Sequence, residues 1–276
     1  MLHHRPADSA RHEYHSPNLH RPCQATKYPT SFELILIAAL TFESIIAINA
    51  LDGVNMALDR IHLRKLLQLM FLEPNKLRSA IRTDIRDELA KEDGTGGSGG
   101  DFYIPFWADA KSHVFAVADL HDLVEQRIAA NRRRSNLYPL LRDGFLLWWN
   151  ERRRWTNEPF QPGPSLKAQV PFPSLRATVK VDSILSVRDG LDAEHAVYPY
   201  FVPDPELSEN AARLGLWLLI RALPAYSPNE IRILDVIRGR TFSLDRTPLR
   251  GDEEEEFRRR YAAILQLRQE LQEEYE

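Results

Sequence analysis

Two β-rich runs on either side of an Asp-Gly pair constrain the fold of this chain more than any other stretch. The run Ala177–Arg188 alternates apolar and polar side chains, and the run His195–Phe201 is apolar and aromatic. Asp189-Gly190, between them, is typical of a tight turn. The pattern predicts a hairpin whose first arm has one apolar face. That face consists of Val179, Val181, Ser183, Leu185 and Val187.

Segments with helical periodicity surround this hairpin. One or two helices are predicted within 32–72, and further ones at Asn75–Ala90, Ala110–Ala130, Leu137–Trp155, Glu209–Leu223 and from Asp252 onward. Ile231–Ile237 is rich in β-branched residues and predicts a third strand. The order of these elements predicts an α/β (α+β) fold. We expect a small mixed β-sheet of at least three strands, covered by helices and preceded by an N-terminal helical extension.

Composition divides the chain into four parts. Residues 1–31 are polar, contain five of the nine histidines and predict a disordered tail. Residues 32–93 are the predicted helical extension. The run 94–100 is almost entirely glycine and serine and predicts a flexible linker. The main α/β domain is then expected at 101–276.

Charge and cysteine content exclude several classes of protein. The formal net charge of −3 gives no overall attraction to nucleic acid or to an anionic membrane. Cys23 is the one cysteine, so an intrachain disulfide and a zinc site built on cysteines are excluded, and we expect a reducing, cytoplasmic setting. Glu43 interrupts the apolar run 34–51, so no membrane span is expected.

Three carboxylates in or beside the hairpin are the sharpest candidates for chemistry. Asp182, Asp189 and Glu194 are candidate metal ligands, and Lys180 joins Asp182 and Asp189 as a candidate catalytic residue. Carboxylate oxygens are the ligands that Mg²⁺ prefers. A structural interpretation stands beside this one, because Asp189-Gly190 is first of all a turn and Asp182 can pair with Lys180 in solvent.

A helix carrying Glu, a strand–turn–strand carrying Asp and a further helix resemble the core order of PD-(D/E)XK nuclease-like domains, over about 137–261. The resemblance implies a nuclease in which Mg²⁺ is held by acids on two successive strands while a Lys orients the attacking water. By position, Asp182 or Asp189 would be the first ligand, and Glu151 or Glu158 would come from the helix. The second strand, His195–Phe201, carries neither the acid nor the Lys of that pattern.

The region from about Phe71 onward is also similar to an uncharacterised bacterial protein family, which implies no particular activity. No phosphate-binding glycine loop, nucleophile elbow or HExxH helix occurs in the sequence. The leading hypothesis is therefore a soluble bacterial protein that acts as a non-catalytic interaction or scaffold domain. The alternative is a Mg²⁺-dependent nuclease, or a degenerate nuclease-like protein that binds nucleic acid without cutting it.

Two features suggest partners. The basic triplets Arg132, Arg133, Arg134 and Arg152, Arg153, Arg154 have aromatic neighbours and are candidate contacts to nucleic acid, provided that both lie at one end of a helix pair. A narrow apolar stripe on an otherwise polar helix predicts docking against a protein partner. The stripe consists of Leu77, Ile81, Ile85 and Leu89.

Overall fold

A computed structural model describes residues 58–94 and 102–274 of the chain. The predicted disordered tail, the first part of the helical extension, most of the glycine-rich linker, Cys23 and the apolar run 34–51 lie outside the described residues. None of the described helices combines the length and the apolar character needed to cross a membrane.

Seven α-helices occur in the described residues. They are α1 (Leu63–Phe71), α2 (Pro74–Glu92), α3 (Tyr103–Val114), α4 (Leu120–Ala130), α5 (Tyr138–Leu147), α6 (Glu209–Ala222) and α7 (Glu253–Gln272). Local chemistry sets several helix starts. The side chain of Ser208 accepts a hydrogen bond from the Ala211 N–H at the start of α6, and that of Asp119 accepts from the His121 N–H at the start of α4.

Eight β-strands form two mixed sheets. The strands are β1 (Arg60–His62), β2 (Gln161–Pro162), β3 (Ala168–Phe172), β4 (Ala177–Val181), β5 (Leu185–Arg188), β6 (Glu194–Tyr200), β7 (Ile231–Asp235) and β8 (Arg240–Phe242). One sheet has the order β1-β4-β3 and the other β2-β5-β6-β7-β8. The predicted α+β class, with a mixed sheet and covering helices, is confirmed.

The predicted hairpin is present, but its first arm belongs to two sheets. β5 pairs with β6 in antiparallel register, and Asp189–Ala193 connects them. The same arm begins as β4 in the other sheet, and the chain bends between them at Ser183, whose φ of 62° is left-handed. A left-handed residue interrupts the alternation of faces. The prediction of one continuous apolar face is therefore wrong: Val179 and Val187 lie in different cores.

The five-stranded sheet lies between two layers of helices. Val197 and Leu234 point into a core shared with α3, α4 and α5. Tyr198 and Ile233 point to the opposite face, into a larger core shared with α1 and α6. Because β6 and β7 are parallel and buried on both faces, their sequences are almost continuously apolar.

Residues before the glycine-rich run share a core with those after it. β1 pairs in parallel with β4, and Ile81 and Ile85 of α2 are 0% and 2% exposed in the larger core. α2 packs against α7, and Glu88 forms an ion pair with Arg268 there. The expected boundary at 94–100 thus does not divide the core. Most of the stripe predicted to dock on a partner is covered within the chain, while Leu89 stays 42% exposed.

Two predicted helices are shorter than their periodicity suggested. The segment 110–130 contains the end of α3 and all of α4, separated by a loop in which Ala116 has a φ of 53°. α5 continues past Leu147 only as a single π-helical turn, Trp148–Arg152. The proline-rich connector over 159–173 contains the two strands β2 and β3.

Candidate ligand-binding cleft

The strand pairs β2–β5 and β3–β4 form one antiparallel ribbon. Its middle residues are unpaired, but the register is the same on both sides of the opening. Gln161 of β2 is opposite Arg188 of β5, and Ala168 of β3 is opposite Val181 of β4. Five residues, 163–167, therefore face five residues, 182–186, with no insertion on either side. The two segments separate because the chain bends at Ser183 and passes from one sheet to the other.

This opening is a cleft of about 410 Å³, within the size range of small-molecule sites. A second hollow of about 240 Å³ adjoins it, and Lys167 and Asp182 line both. Polar groups concentrate along the walls. They are Lys111, Ser165, Lys167, Gln169, Lys180, Asp182, Ser183 and Ser186.

Lys111 of α3 lines the cleft, and the buried Trp107 lies one turn before it. Trp107 and Lys111 are one helical turn apart and reach the bent segment together. Trp107 Nε1 donates to the Ser183 carbonyl over 2.5 Å, and Lys111 Nζ donates to the Ile184 carbonyl over 2.7 Å. These carbonyls lie where the strand bends, so α3 supplies the donors that buried backbone acceptors require. Burial lowers the pKa of Lys111, and the charge of Asp182 only partly opposes this effect.

Asp182, the acidic side chain in the lining, has two polar neighbours. His62 Nδ1 lies 3.1 Å from Asp182 Oδ2, and the Ser183 hydroxyl donates to Asp182 Oδ1 over 3.2 Å. The contact with His62 lowers the pKa of Asp182 below its ordinary value, although partial burial acts in the opposite direction. Asp182 is therefore an anion with its own local partners.

Two further lysines have no polar partner of this kind among the described residues: Lys167 lines both hollows and Lys180 lines the second one. Lys167 is exposed and lies opposite Asp182 by register, yet the two form no ion pair in the described part of the chain. The Lys180 side chain is half-buried and likewise has no hydrogen-bond or ion-pair partner among residues 58–94 and 102–274. The cleft is thus lined by Lys111 and Lys167 and the adjoining hollow by Lys167 and Lys180, and Asp182 is the one carboxylate of both linings.

Asp189, the second predicted catalytic acid, holds the β5–β6 loop and has no place in the cleft. It accepts hydrogen bonds from the backbone N–H groups of Leu191 and Ala193 and from Asn157, and it lies 3.4 Å from His195 Nε2. Burial raises its pKa, but these bonds outweigh burial and lower the pKa to about 2.

His195 continues this buried network. Its Nδ1 lies 2.5 Å from Glu230 Oε2, and its ring stacks on Trp155 with centroids 4.4 Å apart. Glu230 in turn pairs with Arg232. Both carboxylate oxygens of Asp189 and both ring nitrogens of His195 thus have partners within the protein, which is the pattern of a structural anchor.

The predicted metal ligands do not converge. Asp182 precedes β5 and Asp189 follows it, so at about 3.3 Å per residue they lie at opposite ends of that strand. Glu194 forms an ion pair with Arg188, and Glu158 is 3.8 Å from Arg153. The part of the chain that the structure describes contains no group of three His, Cys, Asp or Glu residues that could hold a metal ion. The residues therefore do not fit the Mg²⁺ site that the nuclease resemblance implied. Of the three predicted carboxylate ligands, Asp182 is the one that lines the same hollow as Lys180.

The two basic triplets are separated by a helix. Arg132–Arg134 precedes α5, and Arg152 is the last residue of its π-helical extension. The helix with its extension, 138–152, is about 22 Å long and separates the two triplets. The expected single phosphate-binding patch is wrong for this reason.

The three arginines of the second triplet each contact another residue of the protein. Arg152 donates to the Gly239 carbonyl, Arg153 stacks over Trp149 at 3.8 Å, and Arg154 pairs with Asp245. In the first triplet, Arg134 packs over the ring of Tyr138. Arg132 and Arg133 are exposed.

The chain matches no protein-family model, no curated protein and no solved structure. The geometry of the cleft is thus the available guide to function. Sequence reasoning found Asp182 and Lys180 but missed Lys111 and Lys167. Their common location depends on the register of two separated strand pairs, which no local motif encodes.

Proposed function

We propose that the protein is a non-catalytic binding domain that holds a compact anionic ligand in the ribbon cleft. The observation that carries the proposal is the charge of the walls. Lys111 and Lys167 line the cleft, Lys167 and Lys180 line the adjoining hollow, and Asp182, the one carboxylate of both linings, lies beside His62. Hydrogen bonds between an ammonium and a bound anion are among the stronger ones that proteins form.

The shape of the cleft favours a small ligand over a polymer. At one end the Gly163 N–H donates to the Ser186 carbonyl over 3.0 Å, and at the other Ala168 pairs with Val181. A chain cannot run along the ribbon through these closed ends, so a ligand must enter across it. Gly163 permits the closure, because a Cβ at that position would lie 2.2 Å from Ser186 Oγ.

The proposal keeps the cytoplasmic setting and bacterial source expected from the sequence. The single cysteine supports a reducing compartment. Lysine binds phosphate as a point charge, so a compact anion such as a phosphate ester suits these walls.

Calorimetric titration with inorganic pyrophosphate tests the proposal. We expect saturable binding that weakens with salt, because surface ammonium groups contribute much of it. Lys167→Ala combined with Lys180→Ala should weaken binding about tenfold or more, which corresponds to about 1.4 kcal/mol. Lys91→Ala, an exposed lysine at the end of α2, is the matched control and should leave the affinity unchanged.

Two results would reject the proposal. One is the absence of saturable binding by the folded wild-type protein, and the other is an equal loss of affinity in the double variant and in the Lys91→Ala control.

A further inference from the structure

The three-stranded sheet β1-β4-β3 has one face in the larger core and one face turned away from it. Ile61, Val179 and Val170 are buried in that core. Because successive side chains of a strand point to opposite faces, the residues between the buried ones form the outer face. These outer residues are all exposed or half-buried. They are Arg60, His62, Thr178, Lys180, Gln169 and Pro171.

Three cations cross this outer face along one diagonal. Arg60 is opposite Thr178 by register, so Lys180 lies one strand over and two residues further on. Lys180 is opposite Gln169, and Lys167 precedes Gln169 by two residues. Diagonal neighbours in a sheet are about 7–8 Å apart, so Arg60 and Lys167 lie about 15 Å apart with Lys180 between them.

The charge of this diagonal is not neutralised by its neighbours. Arg60 is exposed and, like Lys180 and Lys167, has no hydrogen-bond or ion-pair partner among residues 58–94 and 102–274. Asp182, which is opposite Lys167 by register, lies 3.1 Å from His62 Nδ1. Because neighbouring like charges repel one another, an anion bound along the diagonal removes this repulsion and also accepts charge-assisted hydrogen bonds.

The smaller hollow covers one part of the diagonal. Lys167 and Lys180 line it, whereas Arg60 lies on the other side of β4. An anionic group held by the two lysines therefore leaves Arg60 to a second group. The diagonal ends at Arg60, because β1 is the edge strand of the sheet in the described part of the chain, so its length suits a small molecule.

We propose that the ligand is a compact bisphosphate, with its two phosphate groups on separate atoms of a small carbon skeleton. Lys167 and Lys180 hold one phosphate, and the guanidinium of Arg60 holds the other in the bidentate manner typical of arginine. The inference rests on the proposed function, since the two lysines belong to that site. It adds Arg60 and the outer sheet face to the binding surface.

Calorimetric titration of the full-length protein compares probes that differ in the number and separation of their phosphates. Fructose 1,6-bisphosphate carries a phosphate at each end of the sugar, fructose 6-phosphate carries one, and inorganic pyrophosphate joins two directly. Arg60→Gln removes the charge of the arginine and keeps a polar side chain. Arg133→Gln, at an exposed arginine outside this sheet, is the matched control.

We expect the wild-type protein to bind fructose 1,6-bisphosphate about tenfold more tightly than either other probe, because its second phosphate reaches Arg60. Arg60→Gln should abolish this preference and leave the affinity for fructose 6-phosphate within about twofold of wild type. Arg133→Gln should keep the preference. Lys167→Ala with Lys180→Ala should weaken the binding of all the probes.

The possible failures separate this inference from the proposed function. Equal affinities for the monophosphate and the bisphosphate, or a preference that survives Arg60→Gln, would reject the second phosphate site and leave anion binding in place. Equal loss of the preference in Arg133→Gln would reject it as well. If no probe binds, both proposals are wrong.

A further titration, with a short single-stranded oligothymidylate, addresses a polymeric ligand. Binding that is tighter than that of the bisphosphate and is lost in Arg60→Gln would make the outer face a nucleic-acid surface and overturn the inference. Thermal unfolding shows whether Arg60→Gln is folded. If it is not, the comparison of the probes on the wild-type protein decides the question.

Discussion

Asp189 receives hydrogen bonds from Leu191, Ala193 and Asn157 at the end of β5 and lies beside His195. These donors fix the conformation of the loop that joins β5 to β6. A residue of this type is easily taken for a catalytic acid from sequence, since it is an aspartate near a histidine. Its buried, fully engaged carboxylate instead stabilises the folded chain.

Asp189→Asn should lower the free energy of unfolding by about 1–3 kcal/mol, because an amide cannot accept from all of the donors that the carboxylate serves. Urea denaturation measures the loss. Asp192→Asn, in the same loop but exposed, is the control and should change stability by less than about 0.5 kcal/mol. Equal stability of the two variants would contradict a structural role for Asp189.

The stabilisation by Asp189 should depend on pH in a defined direction. Its pKa is lowered from 3.8 to about 2 in the folded protein, so the unfolded chain takes up the proton first. The stabilisation is therefore fully present above about pH 4 and is lost as the pH falls toward about 2. The difference in unfolding free energy between wild type and Asp189→Asn should shrink over that range. A difference that grows on acidification would contradict the assignment.

Among the elements, the bent strand β4–β5 creates the cleft. Ser183 adopts a left-handed conformation there, which costs a non-glycine residue about 1–2 kcal/mol. The bend moves the strand from one sheet to the other and exposes the lysine-lined opening between 163–167 and 182–186.

A pair of substitutions tests the bend. Ser183→Gly should be more stable than Ser183→Val by about 1–2 kcal/mol, since a β-branched side chain is strained in the left-handed region. The same pair at Thr178, in the regular strand β4, should show the opposite order, with valine more stable by about 0.5–1 kcal/mol. Chemical denaturation of the four variants gives both differences. Valine preferred at both positions would mean that Ser183 is ordinary strand.

A second test concerns the apolar stripe of α2, which was predicted to dock on a partner. Ile81→Ala should destabilise the protein by about 2–5 kcal/mol, because Ile81 is 0% exposed in the larger core. Leu89→Ala, on the same stripe but 42% exposed, should cost less than about 0.5 kcal/mol. Similar small losses for both would restore the interpretation of the stripe as an unoccupied docking surface.

The sequence predicts elements better than it predicts their assembly. Periodicity located α2, α6 and α7 and the strands β5, β6 and β7, because each is encoded by adjacent residues. It missed β1 and β3, which are short and depend on pairing with β4. It also could not reveal the bend, since nothing in Asp182-Ser183-Ile184 signals a left-handed serine. The cleft follows from that bend, so its lysines remained separate observations in the sequence.

For the whole molecule, the residues before the glycine-rich run belong to the same core as those after it. β1 completes the three-stranded sheet, and α1 and α2 bury leucines and isoleucines in the larger core. A chain beginning at residue 102 should therefore unfold without a cooperative transition. The two pieces produced by a cut at 94–101 should remain associated during gel filtration under native conditions. Separation of the pieces, with a cooperatively folded fragment 102–276, would contradict this organisation.

The central claim is that the opening in the ribbon is where the protein binds its ligand. Amide chemical-shift mapping by NMR, during titration with inorganic pyrophosphate, tests it most directly. We predict saturable shifts concentrated at 163–167, 182–186 and Lys111, with little change at Arg132–Arg134 or Arg152–Arg154. Shifts centred on either arginine triplet, or none in the cleft while the ligand binds, would contradict the account.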